Sequence, residues 1–506
     1  MTYVHYQSLL DRARSGALPT HLIFSYMCAR TVREKTLLTM KQAEHYRNRA
    51  MALLENPELS LDSILSLLYL ATFAFSRAEQ SSASLLISSS IRISQELGLH
   101  TLDDGNPDRS HLSPEQHLHL ERCRRLWWMQ QTVDSFACLS LGRPRSIDIR
   151  DVCIRFPGDE MSWISPLPIL PSYTAPLFDA AEFEQVILDL PLWTNPLHGS
   201  SPPSFCHMSN PSHSIYFPSP DSIWNTWTFR TALLSLVSGR IGHLVHGRSP
   251  RKAPPYTSPH SEFSLLRRTL WAIQSIFPPG IPKYGHLRRV GLTVYTLYYS
   301  SLIVLDRSCL RVHPGTRRLE ATTSMAMRAL HEVRELAHEV IILSRHIITP
   351  RGYPMPFLVF CAYLAGDIHL DRVWDSKVSE EDRLCSRSDF TTCLWIIRES
   401  GINWTIAHQY LMNLMSQMKR RLAGPTPTSN DDHDHPKPKA PVREDGEAQV
   451  LDEPLDNKER ISLPFSPAFP VASRPAPTTP SDPSIPSTPS SHSSLEAGKK
   501  SSMSNG

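Results

Sequence analysis

The stretch from residue 121 to residue 151 carries the clearest pattern of inward and outward positions in the chain. On a helical projection, its inward positions form two stripes, one of Cys123, Leu126, Gln130, Val133, Ala137 and Leu141 and another of Trp128, Thr132, Phe136 and Leu139. A helix with inward positions on two sides is surrounded by neighbours. The pattern therefore predicts an inner helix. It should end at Gly142, because glycine readily adopts a left-handed conformation there and Pro144 prevents continuation.

Asp134 lies beside the first of these stripes, so we expect its carboxylate to turn inward and to need a partner. The nearest basic candidates are Arg143 and Arg145, in the loop that follows the helix. We predict that Asp134 and Arg143 form a buried structural pair that holds the loop against the helix. The alternative is that Asp134 is solvated and Arg143 is a surface residue.

Helical periodicity recurs along most of the remaining chain. Residues 26–54 are polar and helix-prone, whereas 61–75 and 83–97 read as a helical hairpin. Ser113 and Pro114 have the residue types of an N-cap and a first helical position. Further stripes predict one helix that begins at Asp221 or Ser222 and reaches residue 244, and others at 263–277, 287–305, 326–340, 357–370 and 404–422.

The sequence contains almost no alternating pattern typical of β-strands. Residues 152–157 could be extended, but one such segment cannot form a sheet. The predicted fold class is therefore all-α, a multi-helix bundle of packed helical hairpins.

Composition divides the chain into a helical body and a tail. We assign residues 1–424 to one all-helical domain, in which residues 158–220 form an irregular insert rich in proline and serine. Residues 425–506 are rich in proline, serine, threonine and charge and nearly lack large apolar side chains. Such a composition cannot offset the entropy lost on ordering, so we predict a disordered tail.

Charge and cysteine content exclude several classes of protein. The net charge of +3 is too small to argue for nucleic-acid binding. The nine cysteines include no CxxC pair, which excludes a zinc finger or zinc cluster and favours buried reduced thiols. The start of the chain lacks a secretory signal pattern. The longest apolar run, near residues 290–305, contains serine and threonine and is too short to span a bilayer.

No enzyme signature occurs along the chain: a Walker loop, GxGxxG, GxSxG and HExxH are all missing. His331 and His338 are seven residues apart, whereas the zincin motif needs histidines four apart, so we interpret both as solvated helix residues. The run 433–435, His-Asp-His, lacks a scaffold for a metal. We predict no catalytic, cofactor-binding or metal-binding residue and no cofactor.

Several other features have a structural and a functional interpretation. Core packing is favoured over a ligand platform for Trp127-Trp128. For Arg124-Arg125, pairing with carboxylates such as Glu121, or packing over aromatic rings, is favoured over phosphate binding. Residues 419–421, Lys-Arg-Arg, are either a weak nuclear-import signal or a basic last turn of a helix. The Ser/Thr-Pro pairs of the tail are either phosphorylation sites or chance occurrences.

Two segments together resemble a known family. One has Ile91, Arg92 and Ile93 followed by Leu97, Gly98, Leu99 and His100; the other has Arg124, Arg125, Leu126, Trp127 and Trp128, then Asp134, then Leu141, Gly142, Arg143 and Pro144, then Ile147 and Asp148. In this order and separation they are similar to the regulatory region, or middle homology region, of fungal zinc-cluster transcription factors. The resemblance extends from about Leu59 to Leu422. One departure is Ser135, which stands where the family often has an arginine, so the adjacent ion-pair partner of Asp134 is missing.

The resemblance implies a regulatory domain of a fungal transcription factor, located in the nucleus and without enzymatic activity. Such regions restrain or permit activation, receive effectors and hold partners, whereas a separate zinc cluster reads DNA. Because that cluster is missing here, we expect either a truncated factor or a clusterless relative that does not bind DNA directly.

The expected partners are proteins of the transcription machinery or a related factor, a small-molecule effector, and a second chain in a homo- or heterodimer. The alternative function is a helical solenoid scaffold unrelated to transcription, for which a regular repeat would be needed. An enzyme is the least supported class.

Overall fold

The computed structural model describes residues 6–33, 39–105, 112–158, 163, 177–179, 227–247, 258, 260–275, 285–311, 356–376, 378–401 and 404–423. The predicted helix at 326–340, the predicted cap at Asp221 or Ser222, most of the insert and the whole of the tail lie outside these residues. All described residues fall within the unit Met1–Ser429.

Helices dominate the described residues, which confirms the all-α prediction. The α-helices are α1 (Tyr6–Arg14), α2 (Thr20–Arg33), α3 (Met40–Leu53), α4 (Leu61–Ser76), α5 (Gln80–Glu96), α6 (Pro114–Leu141), α7 (Trp227–His246), α8 (Glu262–Ser275), α9 (Gly285–Arg311), α10 (Pro356–Trp374), α11 (Glu380–Gly401) and α12 (Thr405–Leu422). Short 3-10 turns at Leu99–Thr101 and Ile149–Asp151 follow α5 and α6.

A small sheet corrects one sequence-based expectation. Strand β1 (Cys153–Arg155) pairs antiparallel with β2 (Leu177–Asp179), and Ile154 lies opposite Phe178. The expectation that residues 152–157 lack a strand partner was therefore wrong, because the partner lies inside the proline-rich insert. The pairing ties this part of the insert to the segment that follows α6.

Helix α6 is the inner helix that its sequence pattern predicted. It begins with a capping box in which Gln116 N donates to Ser113 Oγ at 3.3 Å and Ser113 N donates to Gln116 Oε1 at 2.8 Å. It ends at Gly142, whose φ of 64° is in the left-handed region. Burial extends around nearly the whole circumference between Glu121 and Leu139.

The first of the two predicted stripes is less buried than expected. Val133, Ala137 and Leu141 are only half-buried, whereas polar neighbours such as Gln131 and Ser135 are fully buried. The part of α6 outside the two predicted stripes is therefore covered as well, since α7 packs on Ser135 and Cys138. Phe136 links the helix to its other neighbours, because its ring lies 6.4 Å from Phe75 of α4 and 4.3 Å from Phe357 of α10.

Two helical hairpins precede α6, and their ends follow local sequence signals. Ser60 caps α4 by accepting from Ser63 N at 3.2 Å, and the left-handed Gly98 follows α5 as predicted. Residues 26–54 divide between α2 and α3, which pack against each other, and α2 also packs on α4. Apolar burial of these faces supplies most of the stabilisation that such helices need.

Helices α6 and α7 approach each other very closely at two glycines. A Cβ atom on Gly242 would lie 2.8 Å from Cys138 Sγ and 2.9 Å from the backbone nitrogen of Leu139. A Cβ atom on Gly239 would lie 2.7 Å from Ser135 Oγ. Small residues on both helices therefore set the distance between them.

The C-terminal helices pack against helices from the beginning of the chain. Helix α12 packs against α10, α11 and α4, and Trp404 lies 6.3 Å from Phe75. In a solenoid each repeat contacts only its neighbours in sequence, so this return argues against the solenoid alternative. Helix α11 was not predicted, although Phe390, Cys393 and Ile397 are buried on one side of it.

Most of the described cysteines are buried, as the sequence analysis expected, whereas Cys153 is half-buried and Cys385 is exposed. Among the described residues Cys28, Cys123, Cys138, Cys361 and Cys393 are buried thiols, and burial raises the pKa of Cys138 to about 11. None of the described helices is both long and apolar enough to cross a bilayer.

The Gly242 contact yields a first prediction. Gly242→Ala is expected to lower the free energy of unfolding by about 1–3 kcal/mol, because the new Cβ meets backbone atoms of α6 that cannot turn away. Chemical denaturation of the full chain measures the change. Gly401→Ala is the matched control, since the atoms nearest to its Cβ would be those of the exposed His408 ring, at 2.9 Å, which can turn away. Equal losses in the two variants would contradict the role given to the close crossing.

Candidate functional site

The loop after α6 is held onto the helix by one carboxylate. Asp134 is buried and accepts hydrogen bonds from Ser146 N, at 3.0 and 3.1 Å to its two oxygens, and from Ile147 N at 3.2 Å. Arg145 Nε lies 3.8 Å from the same carboxylate. We call this group of four residues the clasp. It satisfies a buried anion with two backbone donors and one nearby cation.

The structure does not bring together the pair predicted from the sequence. Arg143 donates to Ser81 Oγ of α5 at 3.2 Å and makes no ion pair with Asp134, so the arginine near the carboxylate is Arg145. The prediction of Asp134–Arg143 was wrong about the arginine. Gly142 and Pro144 turn the loop so that the residue after Pro144 points inward, and the partners of Asp134 become the loop backbone and Arg145. Inward orientation of Asp134 itself was predicted correctly.

Burial dominates the protonation of the clasp. It raises the pKa of the Asp134 carboxyl, although the Ser146 N–H, Arg145 and the Ile147 N–H all act in the opposite direction. Burial also lowers the pKa of Arg145, against the influence of Asp134. Each charge of the pair is therefore costly without the other.

The clasp is attached to both neighbouring helices. On the α5 side, the hydroxyl groups of Ser88 and Ser146 lie 2.8 Å apart. On the α7 side, a Cβ on Gly239 would lie 3.0 Å from the guanidinium carbon of Arg145, so this helix packs directly on the arginine. A displacement of the loop would therefore change its contacts with α5, α6 and α7 together.

A second buried ionic group lies near the start of α6. Asp103, after the 3-10 turn Leu99–Thr101, is fully buried and accepts from Arg124 Nε at 2.9 Å and Nη2 at 2.6 Å. It also accepts from the backbone nitrogen of Arg155 in β1 at 2.8 Å. This bidentate pair joins the end of the α5 segment, α6 and the sheet.

Arg125 forms the adjacent group with Glu121 and the beginning of the insert. Arg125 Nε lies 2.7 Å from Glu121 Oε1, and its Nη2 donates to the carbonyl oxygen of Gly158 at 2.6 Å. Its guanidinium lies over the Trp163 ring, 4.5 Å from the centroid. The preference for carboxylate and aromatic partners over phosphate at Arg124-Arg125 is confirmed, and the insert contributes Gly158 and Trp163 to this group.

The tryptophan pair is part of the core. Trp127 and Trp128 are 1% and 0% exposed, which leaves no face for a ligand. Trp128 stacks on Phe156 at 4.7 Å, and its indole N–H donates to the carbonyl oxygen of Arg155 at 2.9 Å. The prediction of core packing is confirmed.

The second of the two segments that resemble the family, from Arg124 to Asp148, thus contributes to two buried ion-pair groups, a tryptophan core and the clasp. Residues 15–208 match the family model described as fungal specific transcription factor domain. This match confirms the resemblance found in the sequence. It covers less than half of the chain and ends before α7 begins. No curated protein and no solved structure matches the chain.

The fungal specific transcription factor domain is a family of transcription factor regulatory domains and not of enzymes. In this chain the matched part contains α2 to α6, the clasp and both strands, and α7 to α12 follow it. The helices beyond the match complete the packing around α6, because α7 covers it and Phe357 of α10 contacts Phe136.

The remaining residues for which the sequence allowed a functional interpretation have structural roles or lie outside the described residues. Within the described part of the chain, no three His, Cys, Asp or Glu side chains are grouped as metal ligands. Residues 419–421 form the basic last turn of α12, where Arg421 donates to the carbonyl oxygen of Leu370 at 3.1 Å and pairs with Asp371. His331, His338 and residues 433–435 lie outside the described residues.

Beyond the matched segment, α9 carries a buried carboxylate that sequence reasoning missed. Asp306 is fully buried, with Arg267 Nε of α8 at 3.1 Å from its Oδ1. Burial outweighs the arginine and raises the pKa of Asp306 to about 7. Asp306 lies on the same side of the helix as Leu302 and Ile303, a position that the sequence pattern alone could have marked as inward.

The clasp geometry predicts which arginine is coupled to Asp134. Asp134→Ala should lower the free energy of unfolding by about 3–5 kcal/mol, because it leaves the Ser146 and Ile147 N–H groups without their acceptor and the half-buried Arg145 without its counter-charge. A double-mutant cycle should show coupling between Asp134 and Arg145, whereas Arg143→Ala alone should change stability by only about 0.5 kcal/mol. Coupling to Arg143 but not to Arg145 would contradict this assignment.

The raised pKa of Asp306 predicts a pH dependence of stability. The folded state retains this proton up to about pH 7, whereas the unfolded carboxyl loses it near 3.8, so stability is lost as pH rises through about 7. Asp306→Asn should therefore be stabilised relative to the wild type more at pH 8 than at pH 5, as measured by denaturant unfolding. Asp148→Asn is the matched control. The pKa of the exposed Asp148 is lowered to about 2 by Arg150, so this variant should show no change over the same range.

Proposed function

We propose that this chain regulates transcription as the effector-responsive regulatory region of a fungal transcription factor. The observation that carries the proposal is the clasp: residues of the family motif bury a carboxylate on α6 and use it to hold the following loop. In this proposal the loop exchanges between a docked and a released state, and ligands or partners of the regulatory region bias that exchange.

The chain acts through partners in this proposal. The 506 residues contain no CxxC pair, so promoter DNA is read by a zinc cluster supplied elsewhere in the factor or by an associated factor. Its partners are proteins of the transcription machinery or a related factor, in a homo- or heterodimer, and its place of action is the nucleus. A small-molecule effector would shift the balance between the two loop states by binding one of them more tightly.

A reporter experiment tests this function. The full chain is fused to a heterologous DNA-binding domain and expressed in fungal cells that carry the matching reporter gene. The fusion should change reporter output severalfold relative to the DNA-binding domain alone, and Asp134→Asn should shift that output because it weakens the clasp.

Arg150→Ala is the matched control, because Arg150 is exposed and pairs only with its neighbour Asp148. Immunoblots of each fusion separate changes of activity from changes of abundance. An abundant, nuclear wild-type fusion that leaves the reporter at the level of the DNA-binding domain alone would overturn the proposal.

A further inference from the structure

Ser146 is the exposed residue of the clasp and the one through which a new charge would act on Asp134. Its backbone N–H donates to both carboxylate oxygens, and its hydroxyl lies 2.8 Å from Ser88 Oγ on α5. The Ser146 side chain also acts to lower the pKa of the Asp134 carboxyl, against the effect of burial. Any group attached to Ser146 Oγ would therefore lie beside Ser88 of α5, on the residue whose N–H donates to Asp134.

The residues that precede Ser146 are basic. Arg143 is three positions before it and Arg145 is one position before it, and Pro144 favours an extended approach. Protein kinases select substrates by charge pattern, and acidic pockets that receive arginine at these positions define the basophilic class. The Arg143 guanidinium donates to the exposed Ser81 and makes no ion pair with Asp134, so such a pocket could take it without breaking the clasp.

We propose that Ser146 is a phosphorylation site for a basophilic protein kinase and that its modification releases the clasp. The γ-phosphoryl group of ATP is transferred to Ser146 Oγ, an ester P–O bond forms as the bond to ADP breaks, and the hydroxyl proton is released. This deepens the proposed function, because it supplies the regulation of the same loop.

Charge and size both act against a docked, phosphorylated loop. The phosphate adds about −1.5 to −2 charges at neutral pH, beside a carboxylate that is already buried. Arg145 is the one cation in the clasp and cannot neutralise both groups. The contact between the hydroxyls of Ser88 and Ser146 is also lost, since the phosphate is far larger than the hydroxyl it replaces.

Access to the kinase follows from the same two loop states. Ile147 is 3% exposed, so the docked loop cannot lie extended in a kinase cleft. The kinase therefore acts on the released loop, and the phosphate then prevents the loop from docking again. Phosphorylation converts a minor state into the stable one.

Hydrogen exchange of the full chain tests the proposal. The protein is incubated with ATP and a purified kinase that prefers arginine three residues before serine, and mass spectrometry measures phosphate at Ser146. A synthetic peptide of residues 140–150 is treated in parallel. The Ser146 and Ile147 amides, which donate to Asp134, should exchange slowly in the unmodified protein and at least about tenfold faster after phosphorylation, whereas amides of α4 should stay unchanged.

Two variants sharpen the result. Arg143→Ala should abolish the modification and leave both amides slow, and Ser146→Ala treated with kinase should show no change in exchange. If the peptide is phosphorylated but Ser146 in the protein is not, the loop does not open and the proposal is overturned. Slow amides in the phosphorylated protein would overturn it equally. Neither measurement uses transcription, so failure of the reporter experiment would leave the exchange result standing.

Discussion

Satisfying the polar groups of a helix that is buried on nearly every side is the constraint on which this fold depends. Helix α6 places Glu121, Arg125 and Asp134 in the interior, where each charge would be strongly unfavourable without partners. The partners come from separate parts of the chain: the loop after the helix donates to Asp134, and Gly158, at the beginning of the insert, pairs with Glu121 and Arg125. The buried charged side chains of α6 and the docking of these segments therefore depend on each other.

This constraint also involves the described residues of the insert. The insert contributes the Gly158 carbonyl oxygen and the Trp163 ring to Arg125, and strand β2 pairs with β1. Loops on a surface usually vary freely, but here short parts of a loop complete buried ion pairs. A proline-rich stretch can thus be part of the core at a few points and still resemble a linker in composition.

The sequence predicted helices better than it predicted partners. The hairpin before α6, the Ser113 cap and the Gly142 end follow from local signals, because capping and glycine conformation depend on a few adjacent residues. Helix α11 was overlooked because its first turn, Glu380 to Arg383, is charged and conceals the apolar side that begins at Phe390. The choice between Arg143 and Arg145 depended on how Pro144 turns the loop, which spacing along a helix does not describe.

The return of α12 onto α4 has a consequence for how the chain is made. The hydrogen bond between Gln80 and Gln409 joins residues 329 positions apart, and Phe75 meets Trp404 across the same boundary. At about 5–20 residues per second, a ribosome needs roughly 15–65 s to supply the second partner after the first. Until then the apolar surface of α4 that faces α12 lacks its cover. Synthesis of this chain therefore passes through an interval in which the apolar surface of its first hairpins is not yet covered by its last helix.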